Sequence, residues 1–424
     1  MKLFLFFSCY IFILSCYMTI NKVQKYLIDK NKLSNFESEN KMGNMSRIRF
    51  VCFIVTLLLF SGINIFGQQR NGRERWIGVS SPVVNSDNTV TFNYLAPNAK
   101  DVKVNVQFAG TKDMVKGENG VWTVTLGPVD PDMYPYSFIV DGTTIMDPHN
   151  PAWFPNERFK NSLVDIRGNK PLIHSVQNVP HGAVNYDNYY SNTLGQYSQV
   201  LVYTPPFYDQ NPNKHYPVFY LISGTTDTEE TYFKVGRVNF ILDNLIAQKL
   251  AKEMIVVMPY GNPTFILPKE QQKKLADTDA FSDDLIKDLM PYIEKTYRTI
   301  NDRDHRGIGG FSRGGHQALQ NGLGHLDLFS NICSYSSFLE TDYVMEHDKA
   351  LFDNPKKTNS QIHLFWLGVG KDDFLYEGAK QFMDLLDQHQ IKNVKVFTEG
   401  KFGHTWMNAK YFLDRSFRLL FKNQ

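Results

Sequence analysis

The sequence predicts an α/β protein, a mostly parallel sheet with helices on both faces, preceded by a small all-β sandwich. Three observations predict it. Residues 77–167 carry short period-two segments separated by turn formers, the pattern of half-buried strands. Residues 186–424 alternate short apolar runs with helical stripes, the pattern of a sheet covered on both faces. The residues with reactive side chains then fall just after those apolar runs, where such sheets gather their functional groups.

Residues 3–19 are almost wholly apolar, and a second apolar run, residues 50–60, follows Arg47 and Arg49. Each has the layout of a secretory signal. Two in series are read with Met45 as the working start and residues 1–44 as an upstream extension, so residues 1–67 form an export signal region. Two other readings stand beside it. Ile13-Leu14-Ser15-Cys16 resembles a lipoprotein box that lipidates Cys16 and yields a surface lipoprotein. Two short transmembrane helices are the third reading, although a span needs about 20 apolar residues. Export places the protein in the periplasm or outside the cell, with no stable membrane span in the mature form.

Composition narrows the partners. With 45 basic and 43 acidic residues the net charge is +2, which offers no attraction to nucleic acid. Cys9, Cys16 and Cys52 lie in the export region and leave Cys333 alone, so the folded part has no thiol partner for a disulfide or a cysteine metal cluster. Cys333 reads as a small core residue. No HExxH, CxxC or phosphate-loop pattern is present, and no metal or cofactor is implied.

In the sandwich, residues 75–168, the strand segments are 89–94, 102–108, 121–126 and 136–140. Turn formers separate them at 85–88, 117–120, 128–131 and 141–142. Trp122 alternates with strand residues and reads as core; Trp153 is a candidate for stacking on a sugar ring. A linker, residues 169–185, leads to the α/β part. There the strands are expected at 199–203, 218–222, 254–258, 363–369 and 394–398. Helical stripes fall between them: Val238, Ile241, Leu242 and Leu245; Leu285, Leu289 and Ile293; Phe382, Leu385 and Leu386; Phe412, Leu413, Phe417 and Leu420.

Residues 310–314 read Gly-Phe-Ser-Arg-Gly, a GxSxG pattern. Small flanking residues let a strand turn sharply into a helix and present one serine hydroxyl at the strand's end. The 363–369 strand runs into Gly370, Lys371, Asp372, Asp373 and Phe374, and the 394–398 strand into a loop containing His404. A serine hydroxyl becomes a good nucleophile only beside an imidazole that takes its proton, and the imidazole needs a carboxylate to hold its tautomer. Ser312, Asp373 and His404 supply that set; Asp372 is the alternative acid and Glu377 a more distant one.

With those residues in view, the chain resembles carbohydrate esterase family 1, the feruloyl-esterase-like, esterase D-related α/β-hydrolases that carry an early-set immunoglobulin-like domain related to family 48 carbohydrate-binding modules. The likeness rests on residues 120–126 and 136–142 in the sandwich, and on residues 179–182, 201–206, 216–221, 255–259, 310–315, 370–374 and 403–406. It implies an exported serine esterase acting on a polysaccharide or small ester, with feruloyl or acetyl groups on xylan as the substrate. Ser312 would be the nucleophile, His404 the base and Asp373 the orienting acid. The backbone N–H groups of Arg313 and Thr225 would form the oxyanion hole. The family's usual His-Gly-Gly loop reads Ser223-Gly224-Thr225-Thr226 here. Trp406 and Gln317 are candidate substrate-binding residues, and Arg237 and Asn239 weaker ones for the rim. Two alternatives share the scaffold: a catalytically weakened carbohydrate-binding protein, and an acyltransferase using the same triad.

Overall fold

The computed structural model describes residues 78–399 and 403–422, so the export region, with Cys9, Cys16 and Cys52, lies outside the described residues. Four apolar strands, Val218–Ile222, Ile255–Pro259, Arg306–Phe311 and Leu364–Gly370, are buried along their whole length, as strands covered on both faces must be. They belong to an eight-stranded sheet ordered Ala183–Ser191, Gln196–Thr204, Ile255–Pro259, Val218–Ile222, Arg306–Phe311, Asn331–Tyr335, Leu364–Gly370 and Val394–Thr398. The first two pairings are antiparallel and the remainder parallel.

One face is packed by the helices Val238–Ala247 and Trp406–Phe417 through Val238, Leu242, Phe412 and Phe417. The other is packed by Arg313–Gly324 and Tyr376–Gln388 through Ala318, Leu319, Phe382 and Leu386. The predicted stripes are therefore the buried ones. Among the described residues no helix is long and apolar enough to cross a membrane.

Three details differ from the sequence expectation. The first strand starts at Ala183 and takes the last three residues of the expected linker. The Leu285, Leu289 and Ile293 stripe begins with a π-helical turn, Leu285–Leu289, before the α-helix Met290–Thr296. A strand not foreseen, Asn331–Tyr335, lies beside Arg306–Phe311. Its polar Asn331 and Ser334 hide it from a hydropathy reading. Cys333 is at its centre, fully buried, and burial pushes its thiol far above the ordinary range.

Before this sheet come two antiparallel sheets. One is ordered Val83–Val84, Val90–Leu95, Val121–Leu126 and Val115–Lys116; the other contains Gly110–Asp113, Val102–Val106, Met133–Val140, Asn161–Asp165, Trp153–Phe154 and Thr143–Ile145. Their inward residues Val90, Phe92, Val104, Tyr136 and Phe138 make one core, with Phe92 and Tyr136 rings 4.8 Å apart. Trp122 is buried there and its indole N–H donates to the Ala96 carbonyl at 2.9 Å. Trp153 carries the Lys234 ammonium over its ring at 3.8 Å, a cation–π contact that occupies the face a sugar would use.

From Gly78 onward the chain forms one unit, and a buried ion pair crosses its middle. Lys410, on the last long helix and 1% exposed, bonds Asp132 of the sandwich. His174 lies 3.7 Å from the same carboxylate; burial, then the Lys410 and Arg237 charges, push its pKa down to about 2 and keep it neutral. Removing one member of a buried pair strands the other, at a cost of about 3–5 kcal/mol, whereas an apolar replacement of both is close to neutral. Lys410→Met is accordingly expected to lower the thermal midpoint sharply, and Lys410→Met with Asp132→Leu to recover most of the loss. A double variant as unstable as the single one in calorimetry would contradict this assignment.

Candidate active site

Strand Arg306–Phe311 ends directly before Ser312, and helix Arg313–Gly324 begins on the next residue. The turn is as tight as the backbone allows. A Cβ at Gly310 would overlap the Gly314 carbonyl, and one at Gly314 would overlap the Ile222 carbonyl on the neighbouring strand, so both positions require glycine. Ser312 itself sits at φ 57 and ψ −123, a region that L residues rarely occupy. Its N–H donates to the Tyr335 carbonyl at 2.9 Å.

That backbone aims the hydroxyl at His404, whose Nε2 lies 2.9 Å from Ser312 Oγ. On the other side of the ring, Nδ1 is 3.0 and 2.9 Å from the two carboxylate oxygens of Asp373. A carboxylate only accepts, so Nδ1 carries the proton and Nε2 is left as the acceptor for the serine hydroxyl. Burial pushes the Asp373 carboxyl up, but the His404 imidazole and the Leu375 N–H, which donates to Oδ1 at 2.9 Å, outweigh it and hold the group below its ordinary value. It is therefore ionised at neutral pH. The alternative acid Asp372 is exposed on the preceding position. His404 is packed between two rings, Phe311 at 4.8 Å and the exposed Phe374 at 4.5 Å between centroids.

The structure brings the predicted oxyanion loop to the same place. A Cβ built on Gly224 would come within 3.4 Å of Ser312 Cβ. Arg313 opens its helix, and first-turn N–H groups have no acceptor within the helix. Its guanidinium turns back and donates to the Gly224 carbonyl at 3.1 Å, and the Asp227 N–H reaches the same oxygen at 3.3 Å. In a trans peptide the C=O and N–H point opposite ways, so this anchor orients the Thr225 N–H as well.

Asp227 lies under the loop, 5% exposed. Burial raises its pKa to about 7, against the lowering effect of the Gly224 backbone, the Arg313 charge, Trp406 and Asn156. Trp406 packs its rings on Tyr232 at 4.9 Å and Phe311 at 5.5 Å. Gln317 donates to the Gly261 carbonyl at 2.9 Å. Each therefore has a packing or hydrogen-bonding role in the fold, alongside the substrate contact expected of it. The rim expectation for Arg237 is corrected, since it faces the sandwich through Met133 Sδ at 3.2 Å and Asp165 at 3.7 Å. Asn239 is 7% exposed and away from any rim.

Beside the oxyanion loop runs a cleft of about 340 Å³ whose lining includes Asn156, Glu157, Thr228, Tyr260 and Phe265. Asn156 and Glu157 come from the sandwich side and escaped the sequence reading, as did Asp227. A lone loop asparagine 156 residues before the serine carries no pattern that could have found it.

Residues 191–398 match the Esterase family. They form an esterase-family domain. The endo-1,4-beta-xylanase/feruloyl esterase of Xylanibacter ruminicola is 28% identical over 81% of this chain and 46% of its own length; the chain thus spans under half of that relative. The acetyl esterase of Caldicellulosiruptor saccharolyticus is 21% identical over 57% of this chain and 98% of its own. The enterobactin esterase of Shigella flexneri superposes with a TM-score of 0.57 at 16% identity, over 79% of this chain and 93% of that one, a likeness of fold. The esterase domain therefore has the α/β-hydrolase fold expected from sequence, behind an all-β sandwich.

The two carboxylates in this site differ in how pH acts on them. Asp227 titrates at about 7 in the folded chain against an ordinary 3.8. A raised folded value contributes stability that is complete below the unfolded pKa and is lost as pH rises through the folded one. Asp227→Asn cannot ionise, so its thermal midpoint relative to the parent is expected to rise between pH 5 and pH 8. Parallel melting curves across that range would refute the shift.

Proposed function

We propose that the protein is an exported serine carboxylic-ester hydrolase that removes feruloyl or acetyl groups from plant cell-wall xylan. The observation that carries it is the continuous hydrogen-bonded path from Ser312 Oγ through His404 to Asp373. Ser312 attacks the ester carbonyl while His404 Nε2 takes the hydroxyl proton. The carbonyl oxygen gains negative charge, and the N–H groups of Arg313 and Thr225 are positioned to stabilise it. His404 then protonates the leaving alcohol, and the acyl group remains on Ser312. A water activated by the same imidazole attacks this acyl-enzyme and releases the acid. Asp373 stays ionised throughout, holding the ring and its transient charge.

Substrate class rests on the relatives named for feruloyl and acetyl esterase activity. Export rests on the signal-like runs before residue 67.

Purified protein should release ferulate or acetate from arabinoxylan, and Ser312→Ala should lower that rate by about 10⁶-fold, Asp373→Asn by about 10⁴-fold. A fluorophosphonate should label the parent and not the serine variant. Full activity in Ser312→Ala would overturn the mechanism. A folded parent that neither hydrolyses nor labels would favour the carbohydrate-binding alternative, and transfer to a sugar exceeding hydrolysis would favour the acyltransferase.

A further inference from the structure

We infer that the β-sandwich is a working part of the esterase site, with Asn156 and Glu157 as positioning residues for the oxyanion loop. The inference rests on the esterase reading above and gives the sandwich a task within it.

The loop carries an unusual burden. Thr226 has φ 65, the left-handed region that a β-branched side chain rarely adopts. Such a conformation persists only where the surroundings over-determine it, and here the surroundings are supplied by the sandwich. Asn156 and Asp227 form an antiparallel bridge. The Glu157 N–H donates to the Thr226 carbonyl at 2.7 Å, and Asn156 Nδ2 donates to Thr226 Oγ1 at 2.9 Å. The amide cannot turn over, because its Oδ1 already accepts from the N–H groups of Arg158 at 3.0 Å and Phe159 at 3.3 Å. Asn156 is 3% exposed, so this bond does not compete with bulk water.

Glu157 extends the hold. Its Oε1 accepts from Tyr260 Oη at 2.8 Å and Asn262 Nδ2 at 3.0 Å, tying down the loop that follows strand Ile255–Pro259. Its charge also faces the Arg313 guanidinium, the group that anchors the Gly224 carbonyl. Thr225 is left between two anchored residues, Gly224 held from the helix and Thr226 held from the sandwich. The oxyanion forms only on the way to the tetrahedral intermediate, so loosening this hold should weaken transition-state binding and leave ground-state binding almost untouched.

The test uses the purified full chain with Asn156→Ala, Thr226→Val, their combination and the conservative Thr226→Ser. For hydrolysis of methyl ferulate and 4-nitrophenyl acetate, each of the first two is expected to lower kcat about tenfold to a hundredfold with KM within about twofold. Inhibition by an arylboronic acid, which becomes tetrahedral on the serine, should weaken in parallel. The combination should be no slower than the slower single variant, because the bond that Thr226→Val removes is already gone in Asn156→Ala, and Thr226→Ser should retain the parent rate. Thermal melting identifies any variant that fails to fold, and the Thr226 pair then decides. Parent-like kcat in Asn156→Ala or Thr226→Val, multiplicative losses in the combination, or a loss confined to KM overturns the inference. A parent with no hydrolysis on either ester overturns the esterase reading instead.

Discussion

Everything at the candidate site depends on one close approach, that of Gly314 to the backbone of Ile222 and Ser223 on the adjacent strand. Only without a Cβ can the helix start this near the sheet. The consequence is geometric: the first turn of the helix, the end of strand Val218–Ile222 and the Ser312 hydroxyl share one small volume. Holding Ser312 in a sparsely populated backbone region costs of order 1–3 kcal/mol. That cost is offset by the surrounding layers, where strands on both sides of Arg306–Phe311 are fully buried.

The same packing explains why two carboxylates of nearly equal exposure, Asp373 at 4% and Asp227 at 5%, shift in opposite directions. Burial raises both. Asp373 has an imidazole N–H against both of its oxygens and a backbone N–H, and these direct bonds prevail. Asp227 has the Arg313 charge nearby, but that guanidinium donates to the Gly224 carbonyl instead, so desolvation prevails. In the mechanism proposed above, one group stays ionised beside the imidazole that gains a positive charge. The other, raised to about 7, lies against the Ser223–Thr226 loop.

Much of this was legible in the sequence because periodicity and strand-end placement are local properties. The buried stripes on Val238–Ala247 and Trp406–Phe417 repeat at helical spacing, Asp373 and His404 each follow a recognisable apolar run, and Ser312 is marked by its GxSxG pattern. Illegible features arise from contacts across the chain. Strand Asn331–Tyr335 is recruited by its neighbours on both sides in spite of Asn331 and Ser334. Trp406, beside the base in sequence, reads as a candidate for the substrate pocket; only the fold shows its ring packed against Tyr232 and Phe311. Nothing near Asn156 signals that it meets a loop 70 residues away.

The departure from a glycine-rich oxyanion loop and the presence of the sandwich then become one problem with one solution. A loop built from glycines reaches left-handed backbone freely but loses more conformational freedom on folding. Thr225 and Thr226 reverse that balance: the unfolded chain has less freedom to lose, while the native turn at Thr226 is strained and needs outside bonds. Those bonds come from the segment around Asn156, which is itself fixed by the Thr231 hydroxyl donating to the Pro155 carbonyl at 3.0 Å. The hold reaches the loop through two residues, Asn156 and Glu157, so in this reading the sandwich need bind no sugar of its own to matter to the chemistry.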